Sequence, residues 1–364
     1  MDTAAPPDRQ LLLAARGGDE DAYERLLAPY HRELHAHCYR MLGSLHDAED
    51  ALQDALLRAW RGLARFEGRS SLRSWLYRIA TNTCLDQIAK RPKRVLAMEH
   101  IPPTDPREGP GQPLTESVWI EPYPDQFVAT DPGPDARYEQ RESVELAFIA
   151  ALQHLPARQR AALILRDVLG YSARETAAQL ETSTAAANSA LQRARATMDD
   201  KLPEHSQQAT LRSLGDEQLQ ALVTRYIDAW ERGDIDGVAA LLTEDAALTM
   251  PPLGSWFQGR DRIAEFLAGW PLSGAWQWRH LPARANGQAA VACYCWDPDA
   301  GTHLPFALEV MSLRGTQIAV IDAFVNRSTE DRSREELARW AAQPAVPART
   351  DALFARFGLP ERLD

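Results

Sequence analysis

The stretch that decides the fold is HLPARQRAALILRDVLGYSARETAAQLETSTAAANSALQRARATM, which runs from His154 to Met198. Its first part, roughly 156–168, carries apolar residues at the spacing of an amphipathic helix. After a short interruption, Ser172 and Glu175 have the spacing of a capping box, so a second helix is expected to begin there and to end near Leu180. A tight turn then leads into a third helix, and this arrangement predicts a helix-turn-helix.

The third helix has the side chains of a nucleic-acid reader. Ser183 can cap it, and an apolar stripe of Ala187, Leu191, Ala194 and Met198 would pack inward. The other faces carry residues that can bind base edges and phosphates: Ser183, Thr184, Asn188, Ser189, Gln192, Arg193 and Arg195. An ordinary exposed helix of an arginine-rich protein is the alternative. Glu181 stands in the turn, where such motifs commonly hold a glycine.

Composition limits the possible classes of protein. A chain of 364 residues is long enough for two or three domains, and 45% hydrophobic with 25% charged residues is ordinary for a globular protein. The net charge of -11 means that any nucleic-acid binding depends on local patches. The four cysteines are too scattered for a disulfide framework or zinc ribbon, and no metal or cofactor is expected. Without a signal peptide or membrane span in the sequence, we expect a cytoplasmic protein with no membrane partner.

Residues 8–90 read as a compact helical domain. Asp19 is a candidate N-cap, and Asp47 is expected to begin a long helix with acidic first turns. A basic and aromatic block follows. Cations interleaved with flat rings suit single-stranded DNA, and the loop 66–71 could receive an extruded base. The residues concerned are Trp60, Arg61, Arg65, Phe66, Arg69, Trp75, Arg78 and Asn82. The alternative for the tryptophans is a place in the core.

Two blocks in this order resemble one protein family. The run YRMLGSLHDAEDALQDALLRAWRGLARFEGRSSLRSWLYRIATNTCLD is similar to region 2 of the extracytoplasmic-function sigma factors, and the run from His154 resembles their region 4. The resemblance covers 8–200, with region 4 at 138–200. It implies a bacterial initiation factor that brings RNA polymerase core enzyme to promoters and has no chemistry of its own.

The resemblance also implies roles for individual positions. Asp47, Glu49, Asp50, Gln53 and Asp54 would meet the clamp of the largest polymerase subunit, and region 4 would meet the flap of the second-largest. Residues 60–82 would open and hold the −10 element as a single strand, and 183–195 would read the −35 element as duplex.

Residues 91–137 are rich in proline, glycine and acids and are expected to form an extended linker between two domains. Trp119, Ile120 and Tyr123 are exceptions, because apolar residues in a polar linker usually dock on a surface. In a polymerase complex the resemblance implies that this segment threads toward the RNA exit path.

The composition changes near residue 214. Helices come first, and alternating segments with turns at Asn286-Gly287, Asp299-Ala300-Gly301 and Arg314-Gly315 follow, so 214–327 is predicted to be an α+β cone with a curved antiparallel sheet. The words AWERGDIDGVAALLTEDAALTMPP and FQGRDRIAEFL resemble the SnoaL-like domains of the nuclear transport factor two superfamily. The fold class is therefore multidomain, with two all-α sigma domains before the cone. The tail 328–364 has charged helical pieces and an apolar cluster at 353–359.

Some SnoaL-like domains are cyclases or isomerases, so catalysis and ligand binding have to be considered. Candidate bases are Asp322, which could point into the cone, His280 and His303. An apolar pocket for a small-molecule ligand could be lined by Trp256, Phe257, Trp276, Trp278 and Phe306. Core packing is the simpler interpretation of these rings, as it is of Cys293, Cys295 and the run from His35 to Cys38. The two hypotheses are a non-enzymatic sigma factor regulated in cis by its cone, and a DNA-binding regulator fused to an enzyme or ligand-binding module.

Overall fold

The computed structural model describes residues 6–91, 93–110, 119–128, 141–298, 300–326 and 353–364. The chain divides into two compact units. The first comprises Met1–Arg94 with Phe127–Pro203, and the second comprises Val95–Gln126 with Glu204–Asp364. Within the described ranges, no helix combines the length and the apolar character needed to cross a bilayer.

The first unit is built from helices. In chain order these are α1 Pro6–Arg16, α2 Glu20–Leu27, α3 His31–Leu42, α4 Leu45–Leu63, α5 Leu72–Ile88, α7 Leu146–Gln153, α8 Ala157–Leu163, α9 Ala173–Gln179 and α10 Thr184–Lys201. The short helix α6, Ala97–His100, belongs to the second unit. A 3-10 turn, Ala28–Tyr30, joins α2 to α3, and a π-helical turn, Ile164–Val168, extends α8.

Local capping chemistry sets most helix starts in this unit. The Asp19 side chain caps α2, as the sequence predicts, by accepting a hydrogen bond from the Ala22 amide. The prediction that Asp47 begins α4 is wrong, because Ser44 caps the helix and accepts from the Asp47 amide, so the first turn starts at Leu45. The hydroxyl of Ser44, three residues before Asp47, satisfies one of the free backbone amides of the first turn.

The second unit combines helices with a six-stranded sheet. Its helices are α6, α11 Gln207–Leu214, α12 Asp216–Glu231, α13 Ile235–Ala240 and α14 Arg260–Gly269. Its strands are β1 Leu242–Thr249, β2 Trp256–Gln258, β3 Trp278–Ala285, β4 Gln288–Asp297, β5 Thr302–Arg314 and β6 Gln317–Val325. The strand order is β2-β1-β6-β5-β4-β3.

The sheet is mixed, where the sequence predicts an antiparallel one. The strands β3 to β6 form successive antiparallel hairpins, with Asn286 and Gly287 at positive φ in the first turn, as predicted. Strand β1, however, runs parallel to β6. The chain reaches β1 from the helices and not through a hairpin, so no tight turn sets its direction. Of the predicted turn at 299–301, Asp299 lies outside the described residues.

Both faces of this sheet are covered. Inward-facing residues such as Leu248, Met311 and Ile321 pack with the helices in the main core. On the outer face, Ala247 and Trp256 pack with Ala97 and Trp119 of the predicted linker. Tyr294 meets Phe354 of the C-terminal segment, with ring centroids 5.1 Å apart. The prediction that residues 91–137 are simply extended is therefore wrong for 95–110 and 119–126, because their apolar side chains are buried on the second unit.

Candidate nucleic-acid interface

The acidic start of α4 is only partly available to a partner. Asp47 is buried, and its carboxylate accepts hydrogen bonds from Arg94 Nε at 3.1 Å and from Arg91. In this structure these ion pairs occupy the Asp47 oxygens, so a contact of Asp47 with polymerase stays a prediction that would require the pairs to open. Glu49 and Asp50 are half-buried and Gln53 and Asp54 are exposed on the same helix.

Two of the predicted DNA-stacking rings lie in the core. Phe66 and Trp75 are each 8% exposed, and their ring centroids lie 5.0 Å apart. Trp75 also packs against α4, where a Cβ on Gly62 would come within 3.2 Å of the indole ring. Both rings have the surroundings of the core interpretation, and base stacking by either ring stays a prediction that this packing does not favour. Aromatic pairs of this kind stabilise the fold beyond their buried area.

The arginines of the same block lie on the surface. Arg61, Arg65, Arg69 and Arg78 are all exposed, while Trp60 and Asn82 are half-buried. Trp60 stacks edge-on against Tyr23 at 4.8 Å. The described surface therefore presents guanidinium groups with one partly exposed indole, which suits phosphate binding more than deep base stacking.

The helix-turn-helix forms as the sequence predicts. The Ser172 hydroxyl and the Glu175 carboxylate make the reciprocal hydrogen bonds of a capping box, and Ser183 caps α10 by accepting from the Ala186 amide. The inward stripe of α10 is buried at Ala187, Leu191, Ala194 and Met198. Glu181 adopts a left-handed conformation, with φ of 51°, in the turn where a glycine is common.

The outward face of α10 is open to solvent. Exposed residues are Ser183, Thr184, Asn188, Ser189, Gln192, Arg193 and Arg195. Arg195 is engaged, because its Nε and Nη2 donate to Asp167 at 2.9 and 2.7 Å. This pair raises the pKa of Arg195 and holds the guanidinium in a bidentate arrangement. Asp167 lies in the π-helical turn, and nothing in the local sequence pattern links it to a residue 28 positions away.

Buried arginines join the two helical regions of the first unit, and sequence reasoning missed them. Arg40 of α3 donates to the Ser143 hydroxyl from Nη2 at 2.7 Å. Arg160 of α8 donates to the carbonyl of Met41 and to Gln153 Oε1, the latter at 2.6 Å. Burial lowers the pKa of Arg160 to about 10. An arginine among apolar neighbours in a helical stripe is the only sequence signal that could have indicated these contacts.

Comparison with known proteins identifies the family. Residues 26–94 match the family model of Sigma-70 region 2, and residues 145–198 match that of Sigma-70 region 4. Residues 223–324 match the model of the SnoaL-like domain. The chain is 41% identical over 360 residues to the ECF RNA polymerase sigma factor SigG of Mycobacterium tuberculosis, covering 97% of this chain and 89% of that protein. It belongs to the ECF sigma factors.

Further similarities extend over different parts of the molecule. SigM of Mycobacterium tuberculosis is 35% identical over 191 residues, which cover 52% of this chain and 82% of that sigma factor. The crystal structure of Mycobacterium tuberculosis SigJ matches with a TM-score of 0.52 at 23% identity, covering 82% of this chain and 94% of that one, and supports the fold. As an ECF sigma factor, the protein directs promoter-specific transcription initiation, and its two sigma regions precede a SnoaL-like domain.

In this sigma factor the second unit, called the SnoaL-like unit from here on, holds residues 119–126 of the linker. Trp119, Ile120 and Tyr123 are all buried. The Trp119 indole donates to the Pro252 carbonyl at 3.1 Å. Tyr123 exchanges two hydrogen bonds of 2.8 Å with Asn286, one to the Asn286 side chain and one from its backbone amide.

The Asn286-Gly287 turn holds a second linker residue. Asp125 accepts from the Gly287 amide at 2.7 Å, and Arg284 Nε lies 3.4 Å from the same carboxylate. Because Asn286 accepts through its side chain while adopting a positive φ, one residue serves both the hairpin turn and the linker contact. The sequence predicts the turn from the Asn-Gly pair, but not this second role.

The candidate catalytic residues of the SnoaL-like unit do not meet in one site. Asp322 is buried on β6 in register with Thr249 and lies on the outer face of the sheet, so the prediction that it points into the cone is wrong. The Thr249 hydroxyl donates to its carboxylate at 2.7 Å, and burial raises the pKa of Asp322 to about 6. His303 pairs through its backbone with Leu363 of the tail, whereas His280 lies inside.

The four cysteines, and His35 and His37 of α3, lie in the core. Cys38, Cys84, Cys293 and Cys295 are free and buried. Among the described residues, no group of three histidine, cysteine or acidic side chains could hold a metal ion. His37 Nε2 lies 2.9 Å from the Thr81 hydroxyl, and burial lowers the pKa of His37 to about 3, which favours a neutral core imidazole.

Proposed function

We propose that the SnoaL-like unit regulates this sigma factor in cis by holding the linker between region 2 and region 4. The observation that carries the proposal is the burial of Trp119, Ile120 and Tyr123 among residues of the second unit. A linker segment bound there is not free to follow a path along polymerase. Docking and polymerase binding therefore compete, and the unit keeps initiation low until the linker is released.

The fusion makes this competition effective. Two parts joined by a short chain have an effective concentration commonly in the millimolar range, so even weak contacts are mostly closed. The polar contacts that hold the linker are separate single hydrogen bonds. In 119–126 they join Trp119 to Pro252, Tyr123 to Asn286 and Asp125 to Gly287, and in 95–110 the Trp256 indole donates to the Ile101 carbonyl and the Thr104 amide to the Trp256 carbonyl, both at 2.8 Å. Contacts of this size can hold the segment and still be displaced by a large partner such as polymerase core enzyme.

Amide hydrogen exchange on the full chain, with and without core polymerase, tests the proposal. The amides of Tyr123 and Asn286 are bonded across the linker contact, so they are expected to be protected in the free protein. Core enzyme should release that protection, while amides of β4 and β5 keep theirs. Unchanged protection at Tyr123 in the polymerase complex would overturn the competition.

The remaining surfaces are assigned as follows. Glu49, Asp50, Gln53 and Asp54 would meet the clamp of the largest subunit, and region 4 would meet the flap of the second-largest. The exposed cations Arg61, Arg65, Arg69 and Arg78, with Trp60 and Asn82, would bind the −10 strand. Thr184, Asn188, Ser189, Gln192 and Arg193 would read the −35 duplex, with Ser183 as the helix cap.

Arg78→Ala tests the −10 assignment. Loss of one exposed guanidinium should reduce permanganate reactivity of the −10 thymines and lower the salt slope of promoter binding by about one. Arg58→Ala is the matched control, because Arg58 is also exposed but pairs with Asp86 at 2.9 Å. Equal effects of the two substitutions would remove Arg78 from the DNA surface.

We infer that the SnoaL-like unit acts as a regulator and not as an enzyme. The relatives that extend over nearly the whole chain are sigma factors. Asp322, the candidate base in a strand, lies on the side of the sheet that the linker covers and not on the side of the main core. A small-molecule ligand remains compatible with this role.

A further inference from the structure

The first unit contains a cavity between the helices of region 2 and the start of region 4. The space that the centre of a water molecule can reach in it is about 390 Å³. Leu42, Gln87 and Ile88 line it from region 2, and Leu155 and Arg160 line it from region 4. Small-molecule sites in proteins commonly have volumes of about 300–1,000 Å³, so this cavity has room for a metabolite.

The wall of this cavity is strongly cationic. Its basic side chains are those of Arg91, Lys93, Arg94 and Arg160, whereas Asp47 is the one carboxylate among the described lining residues. Asp47 accepts from Arg94 and pairs with Arg91, so its charge is already neutralised within the wall. Arg91 and Lys93 are exposed, and the cavity therefore opens to solvent. The excess of positive charge favours an anionic occupant.

Arg160 is a buried guanidinium that has no carboxylate partner in the described part of the chain. It is 4% exposed, and its Nη atoms donate to uncharged oxygens: the carbonyls of Met41, Gln153 and Leu155 and the side-chain oxygen of Gln153. Its pKa of about 10, lowered by burial, leaves it charged at neutral pH. A buried cation is costly unless a counter-charge offsets the cost, and an anion in the cavity would supply that charge.

Two buried donors in the same wall have no hydrogen-bond partner among the described residues. They are Arg160 Nε and Gln153 Nε2, and Gln153 is also 4% exposed. The Gln153 oxygen accepts from Arg160 at 2.6 Å, which fixes the orientation of the amide and leaves its nitrogen as the unused donor. Buried donors without partners commonly mark a place where a ligand or water binds.

The region 2 side of the cavity adds a cation and an acceptor. Lys93 Nζ lies 2.9 Å from His154 Nδ1, so its ammonium group stands where region 2 meets region 4. Gln87 Oε1 is buried and has no hydrogen-bond partner within the described ranges. The wall thus offers donors and positive charge for an anion, together with one acceptor for a hydroxyl group.

We propose that this cavity binds a small phosphorylated compound of about the size of a nucleoside diphosphate, with its phosphates against Arg160, Gln153 and Lys93. Phosphates match the excess of positive charge, and the apolar residues Leu42 and Ile88 cover the remainder of the ligand. Because the lining residues come from both regions, the bound ligand holds region 2 and region 4 together and stabilises the compact first unit by mass action. This site is separate from the linker contact, which lies in the second unit.

Calorimetry on the full-length protein tests the site with adenosine diphosphate (ADP), pyrophosphate and adenosine as probes. Salt at about 0.15 M screens the exposed cations, and divalent cations are left out because they would mask the phosphate charge. ADP should bind at a single site per chain. Pyrophosphate, which lacks the nucleoside, should bind about threefold to tenfold more weakly, and adenosine, which lacks the charge, at least about tenfold more weakly. Absence of saturable ADP binding, or equal binding of ADP and adenosine, would overturn the proposal.

Substitutions on the two sides of the cavity locate the ligand. Lys93→Ala removes a cation from region 2, and Ala157→Glu places a carboxylate in the region 4 wall, so each should weaken ADP by about tenfold. Ala157 is the first residue of α8, where an acidic side chain suits the helix dipole, so this variant is expected to fold. Lys90→Ala is the matched control, because Lys90 is an exposed cation that does not line the cavity, and Ala157→Gln controls for size.

Circular dichroism establishes that the variants fold, and thermal unfolding gives a second readout. ADP should raise the unfolding temperature of the parent protein and of Lys90→Ala, but not that of Ala157→Glu. If Lys90→Ala weakened ADP as much as Lys93→Ala, ADP would bind the exposed surface and not the cavity. If only one side of the cavity affected ADP, the ligand would not join the two regions. Because these assays contain no polymerase, their failure is separate from failure of the linker proposal.

Discussion

At the scale of single residues, Glu181 occupies a position that favours glycine. Its φ of 51° lies in the left-handed region, where a side chain costs roughly 1–2 kcal/mol. Glycine removes that strain but loses more entropy on folding, so Glu181→Gly should raise the free energy of unfolding by about 1 kcal/mol. Thermal and denaturant unfolding of the two proteins measure this difference in the free energy of unfolding.

Glu181→Ala is the control, because it removes the carboxylate and keeps the strained backbone. It should unfold close to the parent protein. If the alanine variant gained as much stability as the glycine variant, the charge of Glu181 and not its backbone would be the cause.

Asp322 gives a second prediction at this scale, on pH dependence. Burial raises its folded-state pKa from 3.8 to about 6, so the folded protein binds this proton more tightly than the unfolded chain does. The resulting stability is present below the unfolded pKa and is lost as the pH rises through about 6. Asp322→Asn keeps an acceptor for Thr249 and carries no charge, so it should stabilise by up to about 3 kcal/mol near neutral pH.

Denaturant unfolding at several pH values checks this prediction. The stability difference between Asp322→Asn and the parent protein should be small near pH 4 and should grow up to about pH 7. A difference that does not change with pH would mean that the carboxyl is not the source of the effect. Thr249→Val is a useful companion, since it removes the hydroxyl that donates to Asp322.

At the scale of secondary-structure elements, the π-helical turn and the recognition helix α10 are joined by the Asp167–Arg195 pair. Arg193 is exposed and is expected to bind DNA directly, so Arg193→Ala should lower the salt slope of −35 duplex binding by about one. Arg195→Ala should lower it less, because Asp167 already neutralises this cation. Asp167→Asn frees Arg195 to bind phosphate, so it should raise the salt slope by up to about one, as one further phosphate contact would.

Fluorescence anisotropy with labelled duplex across a salt series measures these slopes. Asp167→Asn could raise the slope either by releasing Arg195 or by removing a negative charge. The double variant Asp167→Asn with Arg195→Ala separates the two, because only the release of Arg195 needs the guanidinium. The pairing would have no role in DNA binding if Arg195→Ala alone lowered the slope as much as Arg193→Ala.

Elements governed by short-range chemistry could be predicted from the sequence. The capping box at Ser172, the cap at Ser183 and the Asn286-Gly287 turn depend on neighbours within a few residues, and all three are present. Pairings between distant residues could not be predicted. Asp47 is neutralised by arginines more than 40 positions away, and only the folded chain brings them together.

In the candidate nucleic-acid interface, too, local patterns could be predicted from the sequence and contacts between distant residues could not. The outward residues of α10 were predictable because helical spacing separates them from its buried stripe. The block around Trp75 was ambiguous, because interleaved arginines and rings suit both a core and a DNA surface, and burial decides in favour of the core for Phe66 and Trp75. Arg40 and Arg160 were missed, since a single arginine in an apolar stripe does not indicate its distant partners.

At the scale of the whole molecule, Val95–Gln126 of the linker belong to the SnoaL-like unit although they lie between the two sigma regions in the chain. The apolar residues of 119–123 were the sequence signal for docking. Which surface would bind them could not be predicted, because the outer face of the sheet exists only after six strands assemble. A chain of this arrangement can place control of initiation in the segment that joins the DNA-reading parts.

Two substitutions weaken the linker contact from opposite sides. Trp119→Ala removes the buried indole, with Trp119→Phe as the conservative control that loses mainly the bond to Pro252. Asn286→Gly keeps the positive φ of the turn but removes the acceptor for the Tyr123 amide, and Asn286→Asp keeps an acceptor. Both Trp119→Ala and Asn286→Gly should act in the same direction, because they release the same segment.

Promoter-dependent run-off transcription with purified core polymerase is the measurement that tests the central claim most directly. The full-length protein should support a transcript from its own promoter and not from a scrambled one. At matched concentrations Trp119→Ala and Asn286→Gly should raise the amount of transcript, and Asn286→Asp should leave it near the parent level. Equal or reduced transcription by both releasing variants would contradict control of this sigma factor through its linker.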